Sequence, residues 1–568
     1  MAVANRTTAG TAATSSTTTA GRILTIDPVT RVGAGGIGLT LTHDGSAYGE
    51  AWLSAQQYRG YETIALGRDP RDLVPLMSRV CGWCGAMHMT TASMALEMAW
   101  GLRPPPMALA LRTIAECTET IWIHAAHLAT RAGPDYCASV MERTSPALWR
   151  RALGALAPNA GLHGYETIAD IMMAMTPLSG RYWIETIPAG RRVMEMISLL
   201  YGKFPHPSTV TPAGIGSTLT WANFTEYFTR LYMSVDYVKQ VCALWDDLID
   251  FLYEADPRFT TLGERPASFV QAGCWDDVRS SYSYHDLDAS GAARLARPGV
   301  MLDGKLVTDR LSDVHDGIQE HVGRSFYERA AGDRRTDPAG RALDGRHPWL
   351  ATNIARGQLP DHDGRYSWCT AARFKGEVVE TSALGRLWLN ALRTDFPEND
   401  FIDCTGHSIR ILVPMNFQPE ITVEWRIPTR NNALERLRAE AYGIAFAGLC
   451  AAIALLKAFE LQRSGEWATS TPFSVAREPV AGVGLWESGP GLVAHWLSAD
   501  KGRVSTYQIV SPSTFNASPR DDDGRPGPIE QALAGSPIIE EPGDDGLTGI
   551  DALRVVHSFD PCTSCATH

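Results

Sequence analysis

Hydrophobic and polar positions alternate in three short stretches between residues 23 and 55. ILTID and IGLTLTH, followed after a turn at Asp44-Gly45 by YGEAWLSA, have the period of two that is typical of half-buried strands. We therefore predict a small sheet of hairpins. Residues 1–21, which precede it, are rich in Ala, Thr and Ser and contain no long apolar run. We expect a disordered leader there, without a secretory signal.

Helical patterns dominate the chain after this sheet. The predicted helices cover residues 72–101, 107–132, 187–203, 220–255 and 430–463, with three consecutive prolines between the first two. The last contains AYGIAFAGLCAAIALL, which has no charged residue. This run is shorter than the roughly 18 to 20 residues that span a bilayer, and it is more typical of a buried bundle helix. We expect no transmembrane helix.

The remaining segments predict short elements within one large domain. Residues 256–375 are rich in Asp, Gly, Arg and Pro and indicate irregular connections. Further β-type runs are IRILVPM, ITVEWRI, GLVAHWL and VSTYQIV. The predicted fold class is mainly α with small β-sheet regions (α+β), built on a central bundle of long helices. We expect residues 22–568 to form a single catalytic domain whose two ends converge.

Composition and charge exclude several classes of protein. The chain has 568 residues, 51 Lys and Arg against 63 Asp and Glu, and a formal net charge of −12. This balance argues against a nucleic-acid partner. Hydrophobic residues make up 45% and charged residues 20%, so the chain can bury a large core and is not of the disordered class.

Four of the eleven cysteines form two CxxC pairs that lie far apart. The count is odd and sparse for this length, which excludes a disulfide framework. The other seven are scattered singly, as is typical of buried small hydrophobic residues. One pair is Cys81 and Cys84, and the other is Cys562 and Cys565 at the end of the chain. The pairs are therefore the candidates for chemistry.

Thiolates in two such pairs suit a soft or borderline metal ion. A structural zinc tetrathiolate is one alternative, although zinc pairs generally lie about 12 to 20 residues apart. A thioredoxin-like redox pair is another, and it fits poorly because each pair is followed by a histidine. Arg79 and His88 flank the first pair and are candidate donors to thiolates or anionic ligands. Asp560 and His568 flank the second and could orient a donor and bind a second ion.

These motifs resemble those of a known family. RVCGWCGAMH and DPCTSCATH are similar to the paired signatures of the large, catalytic subunit of nickel–iron hydrogenases. Supporting similarity runs through most of the chain. It includes IDPVTRV (26–32), YRGYETIALGRDPRD (58–72), an HxxH followed by Asp135, the segment 435–442, YQIVSPSTFNASPRD (507–521) and GPIEQALAGSP (527–537).

The resemblance implies a role for each cysteine. Cys81 and Cys562 would be terminal nickel ligands, and Cys84 and Cys565 would bridge nickel to an iron that carries carbonyl and cyanide ligands. Hydrogen would be split between the metals, with Cys562 as the first proton acceptor. Ser513 would hydrogen-bond a cyanide.

The resemblance also implies a magnesium ion. Its ligands would be Glu62, His568 and the backbone carbonyl of Ile509, a set of hard donors that suits Mg²⁺. In the family the histidine becomes terminal when an extension is removed. The sequence ending at His568 therefore resembles the processed form.

Three departures from the family pattern concern the neighbourhood of the metals. Gly33 stands where the family has a proton-relaying glutamate. Pro490 stands where it has an arginine over the open metal position, although the partner aspartates remain as Asp135 and Asp560. Trp83 and Pro134 replace smaller or aliphatic residues at a gas-access constriction. We expect the indole of Trp83 to restrict gas access, although simple packing is the alternative.

Partners and function follow from the same resemblance. No other cysteines are clustered, so iron–sulfur clusters belong to a small subunit, with which this chain would form a higher oligomer of heterodimers. Electrons would pass to a quinone or another carrier. We expect a cytoplasmic location or the cytoplasmic membrane face through the partner, with a periplasmic one left open. The predicted activity is hydrogen uptake. The alternatives are a hydrogen-sensing subunit and a metal-free structural relative, and the four cysteines and His568 argue against the latter.

Overall fold

In a computed structural model of the protein, helices pack around a long central pair, and separate small sheets pack against them. The structure describes residues 14–18, 21–33, 35–217, 220–278, 285–331, 335–337, 340–356 and 364–568. Long helices combined with separate small antiparallel sheets confirm the predicted α+β class.

The predicted N-terminal sheet is present and has one strand more than expected. Its strands are β1 (Thr14–Thr18), β2 (Gly21–Ile26), β3 (Ile37–His43) and β4 (Tyr48–Ala55), which pair antiparallel in chain order. The disordered leader predicted up to residue 21 is therefore wrong for Thr14–Thr18, which pairs with β2. Threonine favours extended backbone, so a Thr-rich stretch can extend an existing sheet. Residues 1–13 lie outside the described residues.

The helices carry most of the core. They are α1 (Tyr61–Ala65), α2 (Leu73–Met77), α3 (Gly85–Trp100), α4 (Pro106–His127), α5 (Ala138–Thr144), α6 (Pro146–Ala152), α7 (Ala160–His163), α8 (Ile168–Ala174), α9 (Arg181–Tyr201), α10 (Trp221–Tyr232), α11 (Val235–Ala255), α12 (Leu287–Ala292), α13 (Leu311–Gly317), α14 (Ala383–Ala391), α15 (Ala433–Arg463), α16 (Pro512–Asn516), α17 (Pro528–Leu533), α18 (Ile550–His557) and α19 (Thr563–Ala566). α4 packs along α15, and α9 and α11 flank this pair.

Two predicted helices are interrupted. The stretch 72–101 is broken between α2 and α3, because the backbone N–H groups of Trp83 and Cys84 turn to the sulfur of Cys81 instead of a helical carbonyl. The stretch 220–255 is broken between α10 and α11. By contrast, α15 agrees with its predicted range and begins where the side chain of Asn432 accepts the N–H of Glu435.

The other strands form small antiparallel sheets. They are β5 (Val210–Thr211), β6 (Gly214–Ile215), β7 (Phe269–Gln271), β8 (Cys274–Asp276), β9 (Arg294–Ala296), β10 (Gly299–Leu302), β11 (Lys305–Thr308), β12 (Ile318–His321), β13 (Tyr327–Ala331), β14 (Ala351–Ala355), β15 (Ala371–Phe374), β16 (Ile402–Cys404), β17 (Ser408–Val413), β18 (Ile421–Arg426), β19 (Val480–Ser488), β20 (Gly491–Asp500) and β21 (Arg503–Val510). β19–β21 form a meander against α3.

One helix in the described part of the chain, α15, is long and apolar enough by composition to cross a membrane. In this fold 67% of its most apolar stretch is buried inside the protein. Its small residues Gly443 and Gly448 face α4, where a Cβ added to Gly443 would contact His124 and one added to Gly448 would contact Ile121. These contacts are those of a core bundle helix.

A buried ion triad ties α15 to the loops beside it. Glu380 accepts hydrogen bonds from Arg265 at 3.0 Å and from Arg436 of α15 at 3.0 Å, and all three side chains are almost fully buried. Removing one partner leaves a buried charge uncompensated. The triad therefore makes the fold sensitive to each of its members.

We expect Glu380→Ala to lower the free energy of unfolding by about 3–5 kcal/mol, because it strands two buried guanidinium groups. Thermal and denaturant unfolding of the purified protein would measure this. Glu424→Ala is the control, because Glu424 pairs with arginines at the surface and its removal should cost less than about 1 kcal/mol. Equal losses in the two variants would contradict the prediction.

The same triad predicts how stability depends on pH. Burial raises the pKa of Glu380, but Arg436 and Arg265 outweigh it and lower the pKa from 4.5 to about 2. Because the folded pKa lies below the ordinary value, this contribution is complete above the ordinary pKa and is lost as the pH falls toward the folded one.

Candidate metal centre

The two cysteine pairs meet in the interior. Cys81 Sγ lies 3.7 Å from Cys562 Sγ, and Cys84 Sγ lies 3.5 Å from Cys565 Sγ. The sulfurs of Cys562 and Cys565 are 2.9 Å apart. All four residues are buried, with Ile123 of α4 in the same cluster. The two pairs, which are far apart in the sequence, thus lie side by side in the structure.

The four sulfurs share negative charge unevenly. Burial raises the pKa of Cys81, but hydrogen bonds from the neighbouring thiols outweigh it and hold that pKa well below its usual range. The pKa of Cys562 is raised, chiefly by its hydrogen-bonding contacts with the sulfurs of Cys565 and Cys81. Cations are what would let all four ionise together. The donor set and its spacing therefore fit a soft metal centre.

A helix begins at each cysteine pair and fixes the backbone there. α3 begins directly after Cys84, and α19 begins directly after Cys562. Gly33 passes so close that a Cβ there would lie 2.9 Å from the Cα of Cys562, while its N–H donates to Pro561 O at 3.1 Å. Glycine at this position is a requirement of packing.

One arginine that the sequence did not single out joins the two cysteine loops. The guanidinium of Arg59 donates to the carbonyl oxygens of Val80, of Arg79 at 2.9 Å and of Ser564 at 3.1 Å. By contrast, the side chain of Arg79 is exposed and donates to Pro75 O and Ser78 Oγ. The predicted role of Arg79 as a donor to the thiolates is wrong, because its side chain points away from them.

His88 does lie at the centre. Its side chain is fully buried on α3, one turn after Cys84, and it can share a metal site with Cys84 and Cys565. Its Nδ1 lies 2.9 Å from Nε2 of His495, whose Nδ1 lies 2.7 Å from the hydroxyl of Tyr507. Burial lowers the pKa of His88 to about 4, so the ring is neutral at pH 7. A neutral ring can donate its Nε2 hydrogen to a sulfur.

Asp135 and Asp560 are both buried and both are paired with an arginine. Asp135 accepts from Arg31 at 2.5 Å and from His557 Nδ1 at 2.6 Å. Burial raises the pKa of Asp135, but Arg31 and His557 outweigh it and lower the pKa to about 2. Asp560 accepts from Arg131 at 2.6 Å. The guanidinium of Arg131, which the sequence analysis did not single out, lies beside Cys562 and Cys81, and Arg31 donates to the backbone carbonyl of Arg131 at 2.6 Å.

Arg131 also covers the indole of Trp83. Its guanidinium carbon lies 4.1 Å from the centroid of the Trp83 ring. Trp83 also stacks on Trp122, with ring centroids 5.5 Å apart. Trp83 is half-buried and packs against the cysteine cluster. Pro134 is buried in a 3₁₀ turn that follows the π-helical segment Leu128–Ala132. Both residues remain candidates for gas access.

Pro490 occupies the hairpin between β19 and β20. The guanidinium nearest this turn in the described structure is that of Arg386, which donates to Glu487 at 2.6 Å and to the carbonyl oxygens of Ser488 and Gly489. Arg386 is thus engaged by the hairpin itself. The charge beside the cysteines comes from the α4 side, through Arg131.

A second group of hard donors lies behind the cysteines. Nδ1 of His568 is hydrogen-bonded to Glu62 Oε1, and Glu62 Oε2 is buried with no hydrogen-bond partner among the described residues. The carbonyl of Ile509 accepts from Gln508 at 3.2 Å. Glu320, which the sequence analysis missed, also has a buried Oε2 without a partner in the described structure. Orphaned carboxylate oxygens beside an imidazole fit a hard divalent cation.

Ser513 is placed at the start of α16. Its hydroxyl oxygen accepts the N–H of Cys562 at 3.0 Å, which leaves the hydroxyl hydrogen to donate elsewhere. The arrangement as a whole joins four thiolates, a neutral imidazole, two guanidinium–carboxylate pairs and a hard-cation site. Such a site defines a buried metalloenzyme centre.

Comparison with known proteins identifies the class. A family profile described as nickel-dependent hydrogenase matches residues 59–147 and 154–568. The chain belongs to the nickel-dependent hydrogenase family, and it is an enzyme of that class. This confirms the resemblance drawn from the cysteine motifs.

Individual relatives agree over nearly the whole chain. The actinobacterial-type NiFe-hydrogenase from Ralstonia eutropha H16 is 36% identical, with a TM-score of 0.93, covering 96% of this chain and 100% of that one. The uptake hydrogenase large subunit of Rubrivivax gelatinosus is 25% identical over 621 residues, covering 96% and 95%. The quinone-reactive Ni/Fe-hydrogenase large chain of Wolinella succinogenes is 24% identical over 589 residues, with the same coverage.

Proposed function

We propose that this chain is the hydrogen-oxidising catalytic subunit of an uptake hydrogenase. It cleaves H2 heterolytically and delivers electrons to an iron–sulfur small subunit. The observation that carries this proposal is the meeting of Cys81, Cys84, Cys562 and Cys565 in one buried cluster. The names of similar proteins, among them an uptake hydrogenase large subunit, support it.

The cysteines divide the work of holding the metals. Cys81 and Cys562 would hold nickel, and Cys84 and Cys565 would be shared between nickel and an iron that carries carbonyl and cyanide ligands. The hydroxyl hydrogen of Ser513 would be available to a cyanide, since its oxygen already accepts the N–H of Cys562. Once bound, the nickel–iron pair supplies the Lewis acidity that polarises H2.

The protein's own groups handle the charge and the proton. The sulfur of Cys562 accepts the proton, because it lies beside the other sulfurs and faces Gly33 rather than a bulky side chain. Arg131, held by Asp560, places its guanidinium close to this sulfur and favours the thiolate form, against the neighbouring sulfurs, which raise the pKa of Cys562. Asp135 holds Arg31, which also donates to the carbonyl oxygen of Arg131 at 2.6 Å.

Glu62, His568 and the carbonyl oxygen of Ile509 would hold a magnesium ion, which would tie the last residue to α1. Glu320 orients groups around that ion through its contacts to Gln508 at 3.3 Å and Asn353 at 2.7 Å. Loss of the ion would leave buried carboxylates unpaired, so the ion stabilises the loop that carries Cys565.

The partner completes the electron path. Electrons leave through iron–sulfur clusters of a small subunit, in a larger oligomer of heterodimers, toward a quinone or another carrier; a quinone-reactive relative supports this acceptor. Residues 22–568 act as a single catalytic domain. We place the enzyme in the cytoplasm or at the cytoplasmic membrane face through its partner, with the periplasm as the alternative.

Trp83 governs gas access in this proposal. We expect Trp83→Val to accelerate both oxygen inactivation and the exchange of D2 with solvent protons severalfold, because it removes the indole that packs against the cysteine cluster. Trp467→Val, at a half-exposed tryptophan, is the control. Unchanged rates in Trp83→Val would leave this indole a packing residue only.

The proposal is tested by metal analysis and infrared spectroscopy of the purified complex, followed by dye reduction under hydrogen. Nickel, iron in excess over nickel because the clusters of the small subunit also contain iron, cyanide and carbonyl bands and rapid turnover are expected. Zinc alone, or no such bands, would overturn the proposal. Intact bands with slow turnover would favour a hydrogen-sensing subunit.

A further inference from the structure

Two buried glutamates run along one face of α4 away from the cysteines. Glu119 and Glu116 are one helical turn apart, and their side chains are 1% and 0% exposed. Neither carries an ion pair among the described residues. Carboxyl groups are almost never fully buried without a cation, so this pair requires an explanation.

Glu119, the glutamate nearer the cysteines, contacts the helix that follows the first cysteine pair. Glu119 accepts the backbone N–H groups of Ala86 at 3.1 Å and Met87 at 3.2 Å. These are the first residues of α3 after Cys84. The structural alternative is that Glu119 only caps this helix.

Glu116, the glutamate farther from the cysteines, has polar neighbours but few hydrogen bonds. Glu116 Oε1 accepts from Tyr201 at 3.4 Å, while Oε2 has no partner within bonding geometry in the described structure. The hydroxyl of Thr90 and the indole N–H of Trp486 lie beside this carboxyl and likewise lack partners there. Donors and acceptors thus face one another around Glu116, as proton transfer requires.

Beyond Glu116 the polar groups continue to the surface. Glu97 on α3 is bound by Arg112 at 2.7 Å and by Ser93 at 3.1 Å. Ser93 and Arg112 also donate to the carbonyl of Thr211. Thr211 is half-buried and lines an open crevice together with Lys203.

We propose that Glu119 and Glu116 carry protons between the cysteine centre and the Thr211 crevice. A proton released at the cysteines passes to the Glu119 carboxylate, then to Glu116, whose own proton leaves past Thr90 and Ser93. The first step breaks an S–H bond and forms an O–H bond on Glu119, and each later step breaks one O–H bond and forms another, so each carboxyl is restored. This inference rests on the proposed function. The two glutamates contact neither H2 nor the metals in this account, and they act on the reaction through the cysteine sulfurs.

The charge environment agrees with this role. Burial raises the pKa of Glu116 to about 8, with Arg112 and Thr90 opposing the rise and Asp276 adding to it. Burial also raises the pKa of Glu119 well above its usual range, opposed by its hydrogen bonds to Ala86 and Met87. A group that titrates near the working pH transfers protons best in both directions.

The test uses the complex with its small subunit and the variants Glu116→Gln and Glu119→Gln. We expect the exchange of D2 with solvent protons to slow by about 10- to 100-fold in each. This exchange needs no electron acceptor, so it isolates the proton step. Unchanged carbonyl and cyanide infrared bands would show that the centre is assembled. Glu116→Asp, which keeps a carboxyl, should recover part of the rate.

A second readout is independent of turnover. Below pH 8 the wild-type protein should show an infrared band from a protonated carboxyl group that shifts in D2O and disappears in Glu116→Gln. Glu530→Gln is the matched control: burial raises the pKa of Glu530 to about 7, but its carboxylate bonds Leu53 and Tyr366 elsewhere. It should lose its own band without slowing exchange.

The outcomes separate the two proposals. Wild-type exchange with equally fast exchange in both Gln variants overturns the proton path and leaves the proposed function standing. No exchange in the wild-type complex overturns the proposed function. A Glu116 band that is absent at pH 6 would also overturn the proton path.

Discussion

Replacing Cys565 by serine is expected to reduce hydrogen-dependent dye reduction below detection. Its sulfur lies 2.9 Å from Cys562 and 3.5 Å from Cys84, so it is the position shared by the two pairs. A serine hydroxyl is a hard, neutral donor that binds nickel poorly. The nickel content of the purified complex and its carbonyl and cyanide infrared bands should fall together with the activity.

The control for this prediction is Cys450→Ser. Cys450 is also fully buried, but it lies on α15 in the main hydrophobic core. A serine within a helix can bond the carbonyl four residues before it, so the fold should persist. Metal content should stay at the wild-type level. Equal metal loss in the two variants would point to general unfolding rather than to ligation.

Restoring a glutamate at position 33 is expected to damage the enzyme rather than improve it. A Cβ on Gly33 would lie 2.9 Å from Cys562 Cα and 3.0 Å from its sulfur. Gly33→Glu must therefore displace the loop that holds Cys562. We expect loss of nickel and a drop in activity of about 100-fold or more, at the upper end of what misplaced groups around a ligand cost.

Gly33→Ala separates sterics from charge. If steric packing causes the nickel loss, the Gly33→Ala protein should also lose most of its nickel. Gly45→Ala is the control, because a Cβ at Gly45 would have open space around it. Because Gly45 has a φ of +99°, its substitution should cost about 1 kcal/mol of stability and no metal. A Gly33→Glu enzyme with full metal content and faster proton exchange would contradict the steric argument.

Sequence patterns predicted the elements whose signal is local. The alternation over β2, β3 and β4 and the apolar run in α15 agree with the structure. The break between α2 and α3 was not predictable from periodicity, because it arises when backbone N–H groups turn to the sulfur of Cys81. Tertiary contacts of this kind leave no periodic trace.

The same distinction applies to the centre. The cysteine motifs located the candidate ligands, but they did not show which charged residues pair with one another around them. Arg131 pairs with Asp560 across 429 positions, and Arg31 with Asp135 across 104. Arg79 was chosen because it adjoins Cys81 in sequence, yet its side chain points outward. Proximity in sequence is a poor guide to side-chain direction in a loop.

The meeting of the chain's two ends also makes the metals a cross-link. Cys84 and Cys565 are 481 positions apart, and a metal that bridges them closes a loop of most of the polypeptide. In the chain-entropy account of cross-links, closing a loop of that length disfavours the unfolded ensemble by about 6 kcal/mol. The catalytic centre is therefore also a cross-link that stabilises the whole fold. Its assembly contributes to the free energy of unfolding as well as to activity.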